Sequence, residues 1–333
     1  MHILITGTGG FVGFHLARRL LGEGHSVFGL DGITPYYDQS LKRRRHEMLS
    51  TFPSFVAREF MLEDAERLRA YVAEASAERV FHLAAQPGVR YSSENPRSYI
   101  ESNIIGTFNL LEALKDYPCG HLLMASTSSV YGANPQRPFE ERHNTDHPIS
   151  LYAATKKAAE AIAFSHSHLT GSPVTIMRPF TIYGPWGRPD MALFKFTKNI
   201  LAGVPIDVYG EGRMVRDFTY IDDVVEAACR LADRPPSGAD GGFASSAPCR
   251  VVNIGGGRPV ELEDFIATVE RAVGRRAIRR NLPIPPGDVP ATHATTDALE
   301  ALTGFRPSTS IVDGINAFVA WYRDYYGAED RSA

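Results

Sequence analysis

At 333 residues, with 44% hydrophobic and 22% charged side chains, the chain is long enough for one large or two closely packed domains of ordinary globular composition. A formal net charge of -3 offers nothing to nucleic acid or to an anionic membrane surface, and no apolar run reaches the ~18 residues of a membrane span. Three cysteines, none in a C-x-x-C pair, suit a reducing cytoplasm and leave neither a disulfide framework nor a zinc site. The opening "MHILITGTGG" runs directly into an apolar strand and a glycine turn, unlike a signal peptide, so a cytoplasmic protein is expected.

In chain order, "HILIT" predicts a strand and Phe11 to about Gly22 a helix. "SVFGLD", a helix around Leu62 to Glu74 and "RVFHLAA" follow. A helix near Ile104 to Lys115, "HLLMAS", a helix carrying Tyr152 and "PVTIMRP" continue the alternation. Continuous apolar strands separated by helices belong to a parallel sheet covered on both faces, so the expectation is α/β, a doubly wound Rossmann sheet with a smaller C-terminal lobe. Past Arg178 the rhythm breaks. The stretch from Pro235 to Pro248 reads as a flexible connection, "VVNIGGG" as a strand returning to the sheet, and "LEDFIATVERAV" and "IVDGINAFVAWYRDYY" as helices of the second lobe. The expected division is 1–178 with a returning segment at about 217–256 for a dinucleotide, and 179–216 with 257–330 for a substrate.

Gly7-x-x-Gly10-x-x-Gly13 follows the first strand and opens the first helix. Glycines there permit a tight turn and close approach of a pyrophosphate, and the helix N-terminus adds free N–H groups and partial positive charge. Asp31 at the end of the second strand is placed to accept from an adenosine ribose and to repel a 2′-phosphate, which favours NAD over NADP.

The glycine spacing is similar to that of the short-chain dehydrogenase/reductase superfamily, in which Y-x-x-x-K is the expected second motif. With 14 tyrosines in the chain, Tyr152-x-x-x-Lys156 would carry little by itself. Its order after the glycine turn, and "STSS" ending a strand near Thr127, give it weight. Positions i and i+4 share a helix face, so Tyr152 and Lys156 can address one ligand. Bringing a phenol from about 10 to about 7 takes roughly 4 kcal/mol in favour of the phenolate, which the Lys156 ammonium and an oxidised nicotinamide ring can supply at close range. Thr127 would orient the same substrate hydroxyl.

"HLAAQPGVRYSSENPRSYIESNIIGTFNLLEA", "HPISLYAATKKAAE", "TIYGPWGRPDMALFKFTKNIL" and "RDFTYIDDVVEA" resemble the UDP-glucuronate 4-epimerases, extended short-chain dehydrogenases acting on nucleotide sugars. "YYDQSLKRRR" and "PPGDVPAT" point the same way. The resemblance implies a tightly held NAD, a UDP-sugar between the lobes and a homodimer formed through the helices near Ile104 and Tyr152. Tyr152 would take the proton of the sugar 4-hydroxyl as hydride leaves C4, and the 4-keto sugar would turn over and be reduced on its other face. It implies that Gly7, Gly10, Phe11, Val12, Gly13, Asp31, Leu62, Leu83, Ala84, Ala85 and Asn103 join Tyr152 and Lys156 around the cofactor. Thr127, Ser128, Ser129 and Thr181 would line the sugar pocket near the carboxylate. Arg188 and Arg216 would meet sugar or diphosphate charge, with Arg90, Met191 and Asp288 beside them.

Three positions depart from the family pattern. Met61 stands where an aspartate usually holds adenine, "RPF" at Arg178 to Phe180 replaces an aromatic pair, and Thr295 stands where an acid is expected. Alternative activities are UDP-glucuronate decarboxylation, whose family usually places a glutamate that "STSSVYG" lacks, and UDP-glucose 4-epimerisation, which typically has Asn in place of Thr181. A dinucleotide-binding sensor is the alternative without catalysis, and it has no need of a base.

Overall fold

The computed structural model describes residues 1–238, 247–285 and 287–327. Most of the connection expected to be flexible, residues 239–246, lies outside them. The first part of the chain alternates β1 (His2–Thr6), α1 (Phe11–Gly22), β2 (Ser26–Asp31), α2 (Gln39–Leu49), β3 (Phe55–Glu59), α3 (Ala65–Ala75) and β4 (Arg79–His82). Short helices α4 (Tyr91–Glu94) and α5 (Pro96–Tyr99) lead through a π-helical turn, Ile100–Ile105, into α6 (Gly106–Asp116). Then come β5 (His121–Ala125), α7 (Leu151–Thr170) and β6 (Val174–Pro179).

The large sheet has seven parallel strands, six from this part and one returning later, in the order β10-β6-β5-β4-β1-β2-β3, with β10 at Cys249–Ile254. Burial explains why these strands read as unbroken apolar runs. Along β1, Ile3 and Ile5 enter the core shared with α1 and a later helix, while Leu4 enters the opposite core with α3, α6 and α7. All three are fully buried. Side chains alternate across a strand, so a sheet covered on both faces needs apolar residues at every position.

The second part contains β7 (Thr181–Tyr183), α8 (Ala192–Ala202), β8 (Ile206–Tyr209), β9 (Val215–Tyr220), α9 (Ile221–Ala232), β10, β11 (Pro259–Glu261), α10 (Leu262–Val273), β12 (Arg279–Leu282), α11 (Asp297–Thr303) and α12 (Ile311–Tyr326). Small sheets β11-β9-β7 and β12-β8, with α8, α10 and α12, enclose a separate core around Phe194, Phe265 and Phe318. The segment expected to return at about 217–256 is divided: β9 pairs in the small sheet, while α9 packs on α1 and β10 on β6. The pattern reading gave no helix to Gln39–Leu49 or Ile221–Ala232 and no strand to Phe55–Glu59. α2 has eight polar residues in "QSLKRRRHEML" and shows little apolar periodicity, while Asp38 caps its N-terminus by accepting from the Ser40 amide.

The strand order reverses between β1 and β4, so α1 and α6 leave on opposite faces and a crevice opens beyond the carboxyl ends of β1, β4 and β5. No helix among the described residues is long and apolar enough to cross a membrane.

Candidate active site

One cleft of about 440 Å³ runs along that crevice and over the second lobe. Its dinucleotide end begins at the turn after β1. Gly7 has φ +86°, and a Cβ on Gly13 would lie 2.1 Å from the Gly7 carbonyl oxygen, so the first helical turn packs on bare backbone. Gly10 caps α1 without a side-chain hydrogen bond, and no acidic residue lies in the first turn. These N–H groups and the helix dipole therefore face the cleft unneutralised, the donor set a pyrophosphate requires. Asp31 accepts from the Gly9 amide (2.9 Å) and the Ile33 amide (2.8 Å), which fastens the glycine turn to the loop after β2. Each oxygen keeps a further lone pair for a ribose hydroxyl. Phe11, Val12, Leu62, Leu83, Ala84 and Ala85 line the same end, so these residues fit NAD.

Asn103 lies outside the cleft lining. It is fully buried behind the wall, where Oδ1 accepts from the Gln86 amide (2.7 Å) and Nδ2 donates to the Gln86 carbonyl (3.1 Å) and Thr155 (3.0 Å). It shapes the Ala85–Pro87 segment and has no donor left for a cofactor. The π-helical turn around it lets the helix admit this contact. Met61 lies at the cleft with its thioether against Gly32, so the expected aspartate has no acidic replacement at that position.

The reacting end is set by β5 and α7. Ser150 caps α7 by accepting from the Ala153 amide, which starts the helix immediately before Tyr152. Tyr152 and Lys156 both line the cleft. Thr127 ends the β5 strand extension, where its hydroxyl accepts from the Ser129 amide (3.2 Å) and begins the tight turn carrying Ser128 and Ser129. Burial pushes the Tyr152 phenol above the ordinary tyrosine range, against the pull of the Thr127 hydroxyl and the Arg188 guanidinium. Burial also lowers the Lys156 ammonium to about 8, opposed by Glu160 one turn further along α7.

Thr181, at the start of β7, brings a hydroxyl from the second lobe to the cleft, and Met191, Arg216 and Asp288 line its far end. Arg216 donates to Asp288 at 2.7 Å. Arg188 holds Asp190 through Nε (3.0 Å) and Nη2 (2.5 Å) and also lines the cleft. Arg90 is exposed at the rim, where it lies over the Tyr209 ring at 4.4 Å and stands 3.8 Å from the lining residue Asp288. Phe180 packs with Tyr131 and Phe139, which accounts for the altered "RPF", and the Thr295 hydroxyl donates to the Phe139 carbonyl.

The pattern reading missed four contributors. Lys42 lines the cleft and donates to the Thr34 carbonyl (2.8 Å) and hydroxyl (3.0 Å). Arg45, fully buried, donates to the Gly9 carbonyl (2.6 Å), Tyr37 (2.8 Å) and the Trp186 carbonyl (2.6 Å), pinning the glycine turn to the second lobe. Tyr36 and Asp190 complete the set. The basic helix "SLKRRRH" held the only signal for the first two, and nothing in its spacing separates its buried cations from its exposed ones.

The family model described as "NAD dependent epimerase/dehydratase family" matches residues 3–255. A probable UDP-glucuronate 4-epimerase of Rhizobium meliloti is 55% identical over 334 residues, 98% of each chain. UDP-glucuronate 4-epimerase 4 of Arabidopsis thaliana is 44% identical over 99% of this chain and 77% of its own. The crystal structure of UDP-glucuronic acid 4-epimerase from Bacillus cereus with UDP-glucuronic acid and NAD superposes with a TM-score of 0.89 at 31% identity, covering 98% of this chain and 100% of that one. A cleft that joins a dinucleotide turn, a tyrosine–lysine pair and a hydroxyl-lined second lobe is what this kinship predicts, and the chain belongs to the NAD dependent epimerase/dehydratase family, as a relative of its UDP-glucuronate 4-epimerases.

Proposed function

We propose that the chain interconverts UDP-glucuronate and UDP-galacturonate by NAD-dependent inversion at C4. The observation that carries this is the meeting, in one cleft, of Tyr152 and Lys156 with hydroxyls from both lobes, Thr127, Ser128 and Ser129 on one side and Thr181 on the other. The kinship with UDP-glucuronate 4-epimerases supports the choice of sugar. Bound NAD supplies the acceptor and donor of hydride at C4. Tyr152 removes the proton of the 4-hydroxyl and returns it after inversion, Thr127 orients that hydroxyl, and Lys156 binds the nicotinamide ribose and favours the phenolate. Arg188 and Arg216 receive the anionic groups of the nucleotide sugar.

The oxidised sugar carries a carbonyl at C4 and a carboxylate on C5, a β-keto acid that loses carbon dioxide when the breaking C–C bond aligns with the carbonyl π system. The hydroxyls of Thr127, Ser128, Ser129 and Thr181 hold the carboxylate out of that alignment, so positioning decides between inversion and decarboxylation. Residues 1–178 with 221–238 and 247–256 hold the cofactor, and 179–220 with 257–285 and 287–327 hold the nucleotide sugar. Ile100, Ile105 and Phe108 are exposed beside α6, an apolar face suited to pairing two copies into the homodimer that the resemblance implies. Three free cysteines suit a reducing cytoplasm.

The test is a proton NMR time course of purified protein with UDP-glucuronate and no added cofactor. A UDP-galacturonate anomeric signal rising to a constant ratio supports the reading and shows that NAD copurifies. UDP-xylose or a 4-keto pentose as main product overturns it in favour of decarboxylation. No change after NAD is supplied, with turnover of UDP-glucose instead, overturns the choice of sugar.

A further inference from the structure

Arg188 does not face the reaction centre alone. Two of its donors are held by Asp190, and the Asp190 Oδ2 that receives Nη2 also accepts from the Tyr36 hydroxyl at 3.0 Å. Tyr36 comes from the loop between β2 and α2, the loop that Asp31 fastens to the glycine turn. Its ring rests on Tyr91 with centroids 4.9 Å apart. Its hydroxyl lies 2.4 Å from where a Cβ on Gly88 would be, and Gly88, at φ +103°, leaves that space open. Tyr36, Gly88, Arg188 and Tyr152 all line the cleft, with Asp190 behind Arg188.

A guanidinium fully matched by a carboxylate presents little net potential to its other side. A hydroxyl donated to the same carboxylate oxygen draws on its charge and loosens its hold on the guanidinium. We propose that Asp190 and Tyr36 are positioning residues that set the aim and effective charge of Arg188 toward Tyr152, and so link the adenosine-ribose loop of the cofactor site to the reacting end. The link to proton transfer rests on the proposed role of Tyr152. The groups acting on the Tyr152 phenol are Thr127, Arg188 and Asp190, with the Tyr99 ring centroid 6.1 Å from its own and Lys156 lining the same cleft. Among them Arg188 pulls the phenol down and Asp190 pushes it up.

The experiment compares NAD-loaded wild type, Tyr36→Phe and Asp190→Asn, with bound NAD and thermal midpoint measured on each preparation. The acid limb of kcat/KM for UDP-glucuronate is then followed against pH. Tyr36→Phe tightens the Asp190–Arg188 pair and moves the limb to higher pH. Asp190→Asn removes the opposing charge and moves it to lower pH, by on the order of one unit. Opposite displacements are the expected result. Limbs that coincide with wild type, or move the same way in both variants, overturn the inference, since a merely structural role lowers rates without that order. Ultraviolet difference titration of each protein against its Tyr152→Phe counterpart reads the same order without turnover. Failure of the substrate reading is thereby distinguishable from failure of this one.

Discussion

Replacing Glu160 by glutamine tests how the two catalytic elements are locked together. Tyr152, Lys156 and Glu160 follow at intervals of four on α7 and share its inner face. Glu160 and Arg178 are 4% and 2% exposed. Glu160 accepts from Arg178 Nε (2.9 Å) and Nη2 (2.8 Å), and from the Ser126 hydroxyl (2.5 Å), so α7 is bound to β6 and to the residue before Thr127. Burial alone would push this carboxyl up, but Arg178 and Ser126 hold it below the ordinary glutamate range. Two unit charges about 4 Å apart at an effective dielectric of about 20 attract by about 4 kcal/mol. Removing one partner of a buried pair costs about 3–5 kcal/mol, because the other is left uncompensated. Glu160→Gln should therefore lose about that much in urea unfolding at neutral pH followed by circular dichroism. A Glu160→Met, Arg178→Met double variant, with no orphaned charge, should recover most of it. If the double variant is as unstable as the single one, charge compensation is not what Glu160 provides. The sign with pH is also set. The folded pKa is lowered, so this stability is present above the ordinary glutamate value and drains as pH falls through the folded one.

Gly13→Ala should abolish NAD retention, read from the absorbance of the released nucleotide, because its Cβ meets backbone at 2.1 Å and 2.7 Å and α1 must move off the turn. Thr181→Ala should release more 4-keto pentose than the parent, detected by NMR; an unchanged yield removes Thr181 from the carboxylate restraint. His82, fully buried between Thr6 (2.8 Å) and Thr107 (2.9 Å), is lowered by burial and then by Lys156 to about 3. An unfolded imidazole takes up a proton that the folded one refuses, so its contribution to stability is full above about 6.5 and is lost progressively as pH falls toward about 3. Denaturation midpoints for His82→Gln should fall less steeply with acid than those of wild type.

Residues whose chemistry is carried by local spacing were legible without coordinates. The glycines at 7, 10 and 13 and the 152/156 pair are separated by helical and turn periods, and each depends only on the backbone conformation of its own segment. β1, α1 and β2 were bounded from pattern because apolar strands and an amphipathic helix announce themselves. α2 did not, since its buried face is made of Leu41, Lys42, Arg45 and Leu49, two of them cations. The family motif around Asn103 points to a ligand role, and its three partners on Gln86 and Thr155 depend on how α7 packs against the turn that carries it. Arg90 is likewise drawn to the rim by Tyr209, 119 residues away in the chain.

Local residue order sets the chemistry of the two ends of the cleft: which turn faces a pyrophosphate, which phenol and ammonium share a helix face, and which strand ends in hydroxyls. Packing of distant segments sets what those groups feel. The contacts that raise or lower the charge on Tyr152, Lys156 and Arg188 come from Tyr36, Asp190, Glu160 and Thr127, which three different loops and a helix bring together over separations as long as the 154 residues between Tyr36 and Asp190. Electrostatic effects depend on distance through space and on exclusion of water, and neither is written in local sequence.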